Sequence, residues 1–225
     1  MKKSILFAAL CCTAMLFAAC EKDKTNETIS GSIAGHNYVD LGLPSGTQWA
    51  TCNMGATKPE EYGNYYAWGE ITTKTTYSES NYTTTTTKYH NDLIPETADM
   101  YVLPLTTLES ADDAARQNWC WRWGIPTFDE WTELIDNCTW TWTTRNGVNG
   151  FEIKAQNGNF IFLPAAGWYY DDELKCVNSF GSYWSSSTYD YGTSDASLLY
   201  FAYSDYYMRN GSRHYGQSIR PVVKF

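Results

Sequence analysis

Groups that could do acid-base, nucleophilic or metal chemistry are sparse in this 225-residue chain, and they do not gather. His36, His90 and His214 are isolated along the sequence; His36 and His90 read as solvated surface residues. Asp112 and Asp113 are adjacent, but neighbouring helical residues point about 100° apart. They are therefore expected to compensate a helix N-terminus rather than share a proton. Asp171, Asp172 and Glu173, and separately Asp190 and Asp195, offer the hard oxygen donors that calcium takes. No metal site, cofactor or catalytic residue is assigned from these groups, and a non-catalytic protein is expected.

Residues 168–215 are the most informative stretch. Tyr169, Tyr170, Tyr183, Tyr189, Tyr191, Tyr200, Tyr203, Tyr206, Tyr207 and Tyr215 are interleaved there with Ser, Gly, Asn and Asp. Tyrosine supplies rigid amphipathic contact area at low entropic cost, and the small polar residues supply adaptable hydrogen bonds, as in antibody paratopes. Tyr183, Tyr200 and Tyr203 are expected in core strands. Tyr189, Tyr191, Tyr206 and Tyr207, with Asp190, Asp205 and Arg209, are the expected ligand-binding residues. Stacking on sugar rings and hydrogen bonding to hydroxyls would suit a glycan, and the same surface would suit a protein ligand.

The N-terminus bears on where such a surface would work. Lys2 and Lys3 precede an apolar run over residues 5–17, too short for a spanning helix, and Leu16-Phe17-Ala18-Ala19-Cys20 resembles a lipoprotein cleavage site. Residues 1–19 are expected to be a removable signal peptide and Cys20 the lipid-anchored residue. Residues 20–35 are expected to form a flexible tether, since Glu21-Lys22-Asp23-Lys24-Thr25-Asn26-Glu27 contains no apolar residue. An outer-membrane lipoprotein, displayed at the cell surface, is the expected location. Without Lys2 and Lys3 the basic count of 16 becomes 14, against 25 acidic residues, a net charge of about −11. That charge repels nucleic acid and anionic lipid headgroups. Cys52, Cys120, Cys138 and Cys176 are candidates for one or two disulfides in an exported chain, with three full pairings open. Their spacings of 68, 18 and 38 fit no zinc pattern.

The elements that must position these residues fall in one domain, 36–225. Apolar alternation starts at Tyr38-Val39-Asp40-Leu41, and Trp49 and Ala50 belong to a short core strand. Residues 72–97 read as a polar surface excursion. One helix is expected over 110–119, capped by Ser110. A second follows Thr127, where Thr127-x-x-Glu130 makes a capping box and Trp131, Leu134 and Ile135 share a face. From residue 139 onward the period becomes two, with turns at Asn146-Gly147, Asn157-Gly158 and Asn210-Gly211. The N- and C-terminal strands are expected to pair.

Several blocks occur in an order that resembles a known family. They are Tyr38-Val39-Asp40-Leu41-Gly42-Leu43, Trp49-Ala50-Thr51-Cys52-Asn53-Met54-Gly55-Ala56, Tyr66-Ala67-Trp68-Gly69-Glu70, Asp112-Asp113-Ala114-Ala115-Arg116, Phe162-Leu163-Pro164-Ala165-Ala166-Gly167, Tyr183-Trp184-Ser185-Ser186-Ser187 and Ser218-Ile219-Arg220-Pro221-Val222. Together they resemble the Fibrobacter succinogenes major paralogous domain of Bacteroidetes surface lipoproteins. More distantly, Pro126-Thr127-Phe128-Asp129-Glu130-Trp131 and Ile219-Arg220-Pro221-Val222 are similar to stretches of formylglycine-generating and C-type lectin-like proteins. The aromatic, Thr- and Gly-rich composition indicates a mainly β or α+β fold, and two central helices with short antiparallel strands on both sides make it α+β. The resemblance implies a C-type lectin-like fold with long loops. The cysteine pair of the formylglycine-generating enzymes is missing after Cys176, and the Glu-Pro-Asn and Trp-Asn-Asp motifs of the lectin calcium site are missing throughout. A surface recognition protein is the leading expectation, with a structural subunit of a surface or fimbrial assembly as the alternative and an enzyme third.

Overall fold

The computed structural model describes residues 27–83, 106–189 and 194–225. The expected signal peptide, Cys20, the tether up to residue 26, His90, the centre of the polar excursion, Asp190 and Tyr191 lie outside the described residues. In chain order the first strands are β1 (Gly31–Ile33), β2 (His36–Asp40), β3 (Gln48–Ala50) and β4 (Tyr65–Tyr66). Helix α1 (Ala114–Asn118), strand β5 (Trp123–Gly124) and helix α2 (Phe128–Asn137) follow. Then come β6 (Cys138–Arg145), β7 (Val148–Ala155), β8 (Phe160–Pro164), β9 (Trp168–Tyr170) and β10 (Glu173–Lys175). The chain closes with β11 (Phe180–Thr188), β12 (Asp195–Ala202), β13 (Asp205–Ser212), β14 (Gln217–Ser218) and β15 (Val222–Val223).

These strands build two five-stranded sheets, ordered β1-β2-β3-β15-β5 and β13-β12-β11-β14-β4, with a β6-β7-β8 meander and a β9-β10 hairpin. The fold is mainly β. This corrects the α+β, C-type lectin-like arrangement with two central helices, because the two α-helices among the described residues are five and ten residues long. The first shortens for a local reason. Asp113, not Ser110, is the cap: its Oδ1 accepts from the Ala115 and Arg116 amides, while Oδ2 accepts from Ile125 N at 2.9 Å. That second bond ties the helix start to the chain after β5, so residues 110–112 turn instead of extending the helix.

Helix α2 follows the sequence reading closely. Thr127 accepts from Glu130 N, Glu130 Oε2 accepts from Thr127 N at 2.7 Å, and Trp131 and Leu134 are buried. Thr127→Ala is expected to cost about 1 kcal/mol, the usual worth of an N-cap. Urea denaturation checks it: the midpoint falls and the slope stays unchanged.

The core reads as period two in the sheets. Tyr183, Leu199 and Phe201 face one cluster with Trp49, Trp131 and the meander, whereas Trp184, Leu198 and Ala196 face another with Trp68 and Trp123. Three buried indoles find acceptors across the layers, Trp131 donating to Trp184 O, Trp184 to Tyr66 O and Trp68 to Ser185 O, whereas Trp49 Nε1 is buried without a partner. The expected pairing of terminal strands is present, with Val222 opposite Trp49. Asn146 and Gly147 both have positive φ, 49° and 83°, as a two-residue hairpin with matching twist requires.

Two readings of the chain's ends and turns change. Asn210-Gly211 is not a hairpin turn but lies inside β13; the turn between β12 and β13 is Tyr203-Ser204. A side chain at Gly211 would run into Leu198 Cδ2 at 2.6 Å, which explains a glycine in mid-strand. The folded domain also begins earlier than residue 36. Glu27 is 9% exposed, its Oε1 accepts from Phe162 N at 2.9 Å and from Arg145 Nη1 at 3.3 Å, and β1 follows it. Residues 27–35 are thus held by Glu27 and by the pairing of β1 with β2, although most of them are exposed.

Candidate functional site

One face of the β11-β12-β13 sheet packs on the core, and the other, packed in part, opens toward the β9-β10 hairpin. In β12 and β13 the direct pairs are Leu198 with Arg209 and Tyr200 with Tyr207. Both pairs share a face with Ser182 of β11, which lies opposite Tyr200. Tyr206 and Met208 point the other way, into the core. This alternation is the ordinary pleat, and it divides the tyrosine-rich strand into a packing face and an open one.

The hairpin stands across the open face. Tyr169 and Gly216 exchange backbone hydrogen bonds of 2.8 and 3.1 Å, and Tyr77 and Asp171 pair in the same way at 2.7 and 3.0 Å. Both contacts fix the hairpin to the body. Asp171 (φ 52°) and Asp172 are its turn residues. Between hairpin and sheet lies a cavity of about 400 Å³, within the range of small-molecule sites. Four rings line it, Trp168, Tyr170, Tyr200 and Tyr215, with Tyr170 and Tyr215 edge to face at 5.4 Å. Burial pushes the Tyr200 phenol above its ordinary value and keeps it a neutral hydrogen-bonding group.

The polar lining is cationic and amidic. The Arg209 guanidinium sits 5.1 Å from the Tyr200 ring centroid, and its Nε donates to Asn210 O at 3.2 Å. Its two Nη groups have no protein partner among the described residues. Lys175 also lines the cavity and pairs with the exposed Glu173. Gln217 is 2% exposed, and its side-chain Oε1 is buried without a hydrogen-bond partner. No aspartate or glutamate is among the lining residues.

Comparisons with family models, curated proteins and solved structures return no match. The site therefore rests on its own geometry.

That geometry sorts the expected binding residues. Arg209 lines the cavity, and Tyr207, 47% exposed, lies beside Tyr200 with the ring centroids 5.4 Å apart. Tyr206 does not belong to the site: it stacks on Trp140 at 4.5 Å and meets Phe151 edge-on. Asp205 is exposed beside the Tyr203-Ser204 turn and accepts from Ser204 Oγ at 3.1 Å. Tyr189 is 39% exposed, but it lies beyond the end of β11 and is not among the residues lining the cavity. Tyr203, expected in the core, is 74% exposed at the hairpin tip, whereas Tyr183 is fully buried and donates to Pro164 O at 2.7 Å. Trp168, Lys175, Ser182 and Gln217 join the site without being expected there. The parity of β13 points to them, since Tyr207 and Arg209 fall on one face and whatever faces them must line the same space.

Other candidates for chemistry have quieter surroundings. His36 is not a free surface ring: it stacks on Trp119 at 3.6 Å, and burial lowers its pKa. Beside it a second cavity of about 270 Å³ is lined by Cys52, but burial pushes the Cys52 thiol up, which disfavours a thiolate. Cys52, Cys120, Cys138 and Cys176 are all free, so the expected disulfides are not formed in this structure. Burial also raises Cys138, to about 11. The Asp195 carboxylate accepts from Asn210 Nδ2 and Ser212 Oγ. Among the described residues no group of three or more His, Cys, Asp or Glu side chains is placed to hold a metal ion, and no helix is long and apolar enough to cross a membrane.

Proposed function

We propose that this chain is a non-catalytic recognition protein that holds a glycan in the cavity between the β9-β10 hairpin and the β11-β12-β13 sheet. The observation that carries this reading is the set of four rings around a space large enough for one or two sugar residues. Aromatic faces are electron-rich and pack against the C–H faces of pyranose rings, while the flanking amides and hydroxyls suit sugar hydroxyls. Tethering through a lipid on Cys20, with display at the outer surface as in the family its motif blocks resemble, belongs to the same proposal. It would hold the cavity where extracellular or host glycans pass.

The test is a glycan array probed with the full chain, followed by titration of intrinsic tryptophan fluorescence, which Trp168 at the cavity makes sensitive to occupancy. Trp168→Ala and Tyr200→Ala are each expected to weaken binding about tenfold, roughly 1.4 kcal/mol. Their unfolding midpoints should stay within a few degrees of wild type. A folded wild-type chain that binds no glycan on the array overturns the proposal.

A further inference from the structure

We infer that the saccharide taken by this cavity carries an acidic group, a carboxylate or a sulfate, held by Arg209. This deepens the glycan reading and rests on it. The chain as a whole is acidic, with a formal charge of −9, yet the cavity is lined by two cations and no carboxylate. A neutral sugar needs no such local inversion of charge. Arg209 is exposed at the edge of the cavity, its Nε donates to Asn210 O and its guanidinium rests against the Tyr200 ring, which leaves the two Nη groups for an anion. A guanidinium presented in this way offers two parallel N–H groups at the spacing of carboxylate or sulfate oxygens. Gln217 lines the same cavity, and its buried amide oxygen has no partner in the protein.

Lys175 plays a second part. Its ammonium pairs with Glu173 in the same short strand, a contact at the protein surface and therefore weak. An acidic sugar entering the cavity competes with Glu173 for that ammonium. Glu173 thus lowers the affinity of the site for its ligand, and removing its charge should raise it.

The experiment uses the full chain and four sets of trisaccharide probes: uronic acids, their methyl esters, the matching neutral sugars, and sulfated galactose. The esters keep the rings and remove the charge. The uronic acids or the sulfated probe should bind at least tenfold more tightly than the ester and neutral probes. That preference should shrink as sodium chloride is raised from low to high concentration, since charge pairs near the surface are screened. Which acidic probe binds distinguishes a carboxylate from a sulfate ligand. Arg209→Met should abolish the preference, Arg209→Lys should restore it in part, and Glu173→Gln should strengthen acidic binding about twofold or more. Arg209 packs against the one ring of Tyr200, and both of its variants should keep the wild-type unfolding midpoint. Equal binding of acid, ester and neutral probes overturns the inference while leaving the glycan reading intact. Binding of none of the probes, together with an array on which a folded chain captures nothing, overturns both.

Discussion

Arg220→Met is expected to lower the unfolding free energy by roughly 3–5 kcal/mol, the range for breaking a buried charged hydrogen-bond hub. Arg220 has no exposed surface. Its Nε donates to Asn53 Oδ1 at 2.9 Å, Nη1 to Ala50 O and Thr51 O at 3.1 and 3.0 Å, and Nη2 to Phe162 O at 2.8 Å. One side chain therefore ties the end of β3, the turn after it and β8 to the segment entering β15. A methionine fills the volume but leaves four buried acceptors unmet, each costing about 1–3 kcal/mol before relaxation. Thermal unfolding is the direct check, with a fall in midpoint of roughly 10 °C or more for a domain of this size. Arg220→Lys should recover little, because one ammonium cannot reach acceptors on three segments as the planar fork does. A midpoint for Arg220→Met within about 2 °C of wild type would falsify this account.

The second large effect concerns Glu27 and pH. Burial pushes the Glu27 carboxyl up to about 7, outweighing the attraction of Arg220 and Arg145 and the hydrogen bond from Phe162 N. In the unfolded chain the same group titrates at its ordinary 4.5. Between these values the folded state holds a proton that the unfolded state has released, so stability falls as pH rises. The contribution is fully present below pH 4.5, is lost as pH rises through 7, and amounts to roughly 3 kcal/mol across that window. Glu27→Gln keeps the shape and has no charge to bury. The variant should match wild type near pH 5 and exceed it near pH 8 by several degrees in unfolding midpoint. Comparing the two proteins at each pH cancels every other titrating group, and parallel curves from pH 5 to 8 would show that Glu27 stays ionised in the fold.

Glu27 also illustrates what could not be seen in the sequence. It stands in a run of charged and polar residues that offers nothing to a core, and the partners that bury it, Arg145 and Phe162, are more than a hundred positions away. Local patterns fared better where the physics was local. Thr127 and Glu130 cap α2 as their spacing implies, and Asn146-Gly147 turns as its conformational preference implies. The helix expected from residue 110 failed because Asp113 serves a third amide, that of Ile125, which no window around the helix contains. Asn210-Gly211 has turn chemistry, but the glycine is there for lack of room beside Leu198. The site was half legible for a similar reason. Composition located the tyrosines, and Arg209 with Tyr207 falls on the open face, but Tyr206 lies on the other side of the pleat. The hairpin that faces them is made of three-residue strands, too short to show any alternation.

The position of β15 sets how this chain reaches its fold. Val222 pairs with Trp49, 173 positions away, and β15 lies between β3 and β5 in the finished sheet. Bringing such distant segments together costs about 4–5 kcal/mol of loop-closure entropy before any contact offsets it, and folds dominated by such pairings form in milliseconds to seconds. Throughout that interval β3 and β5 each present an unsealed edge to any other strand in reach. Closing that seam removes both edges at once, because β15 is the strand that pairs with each of them.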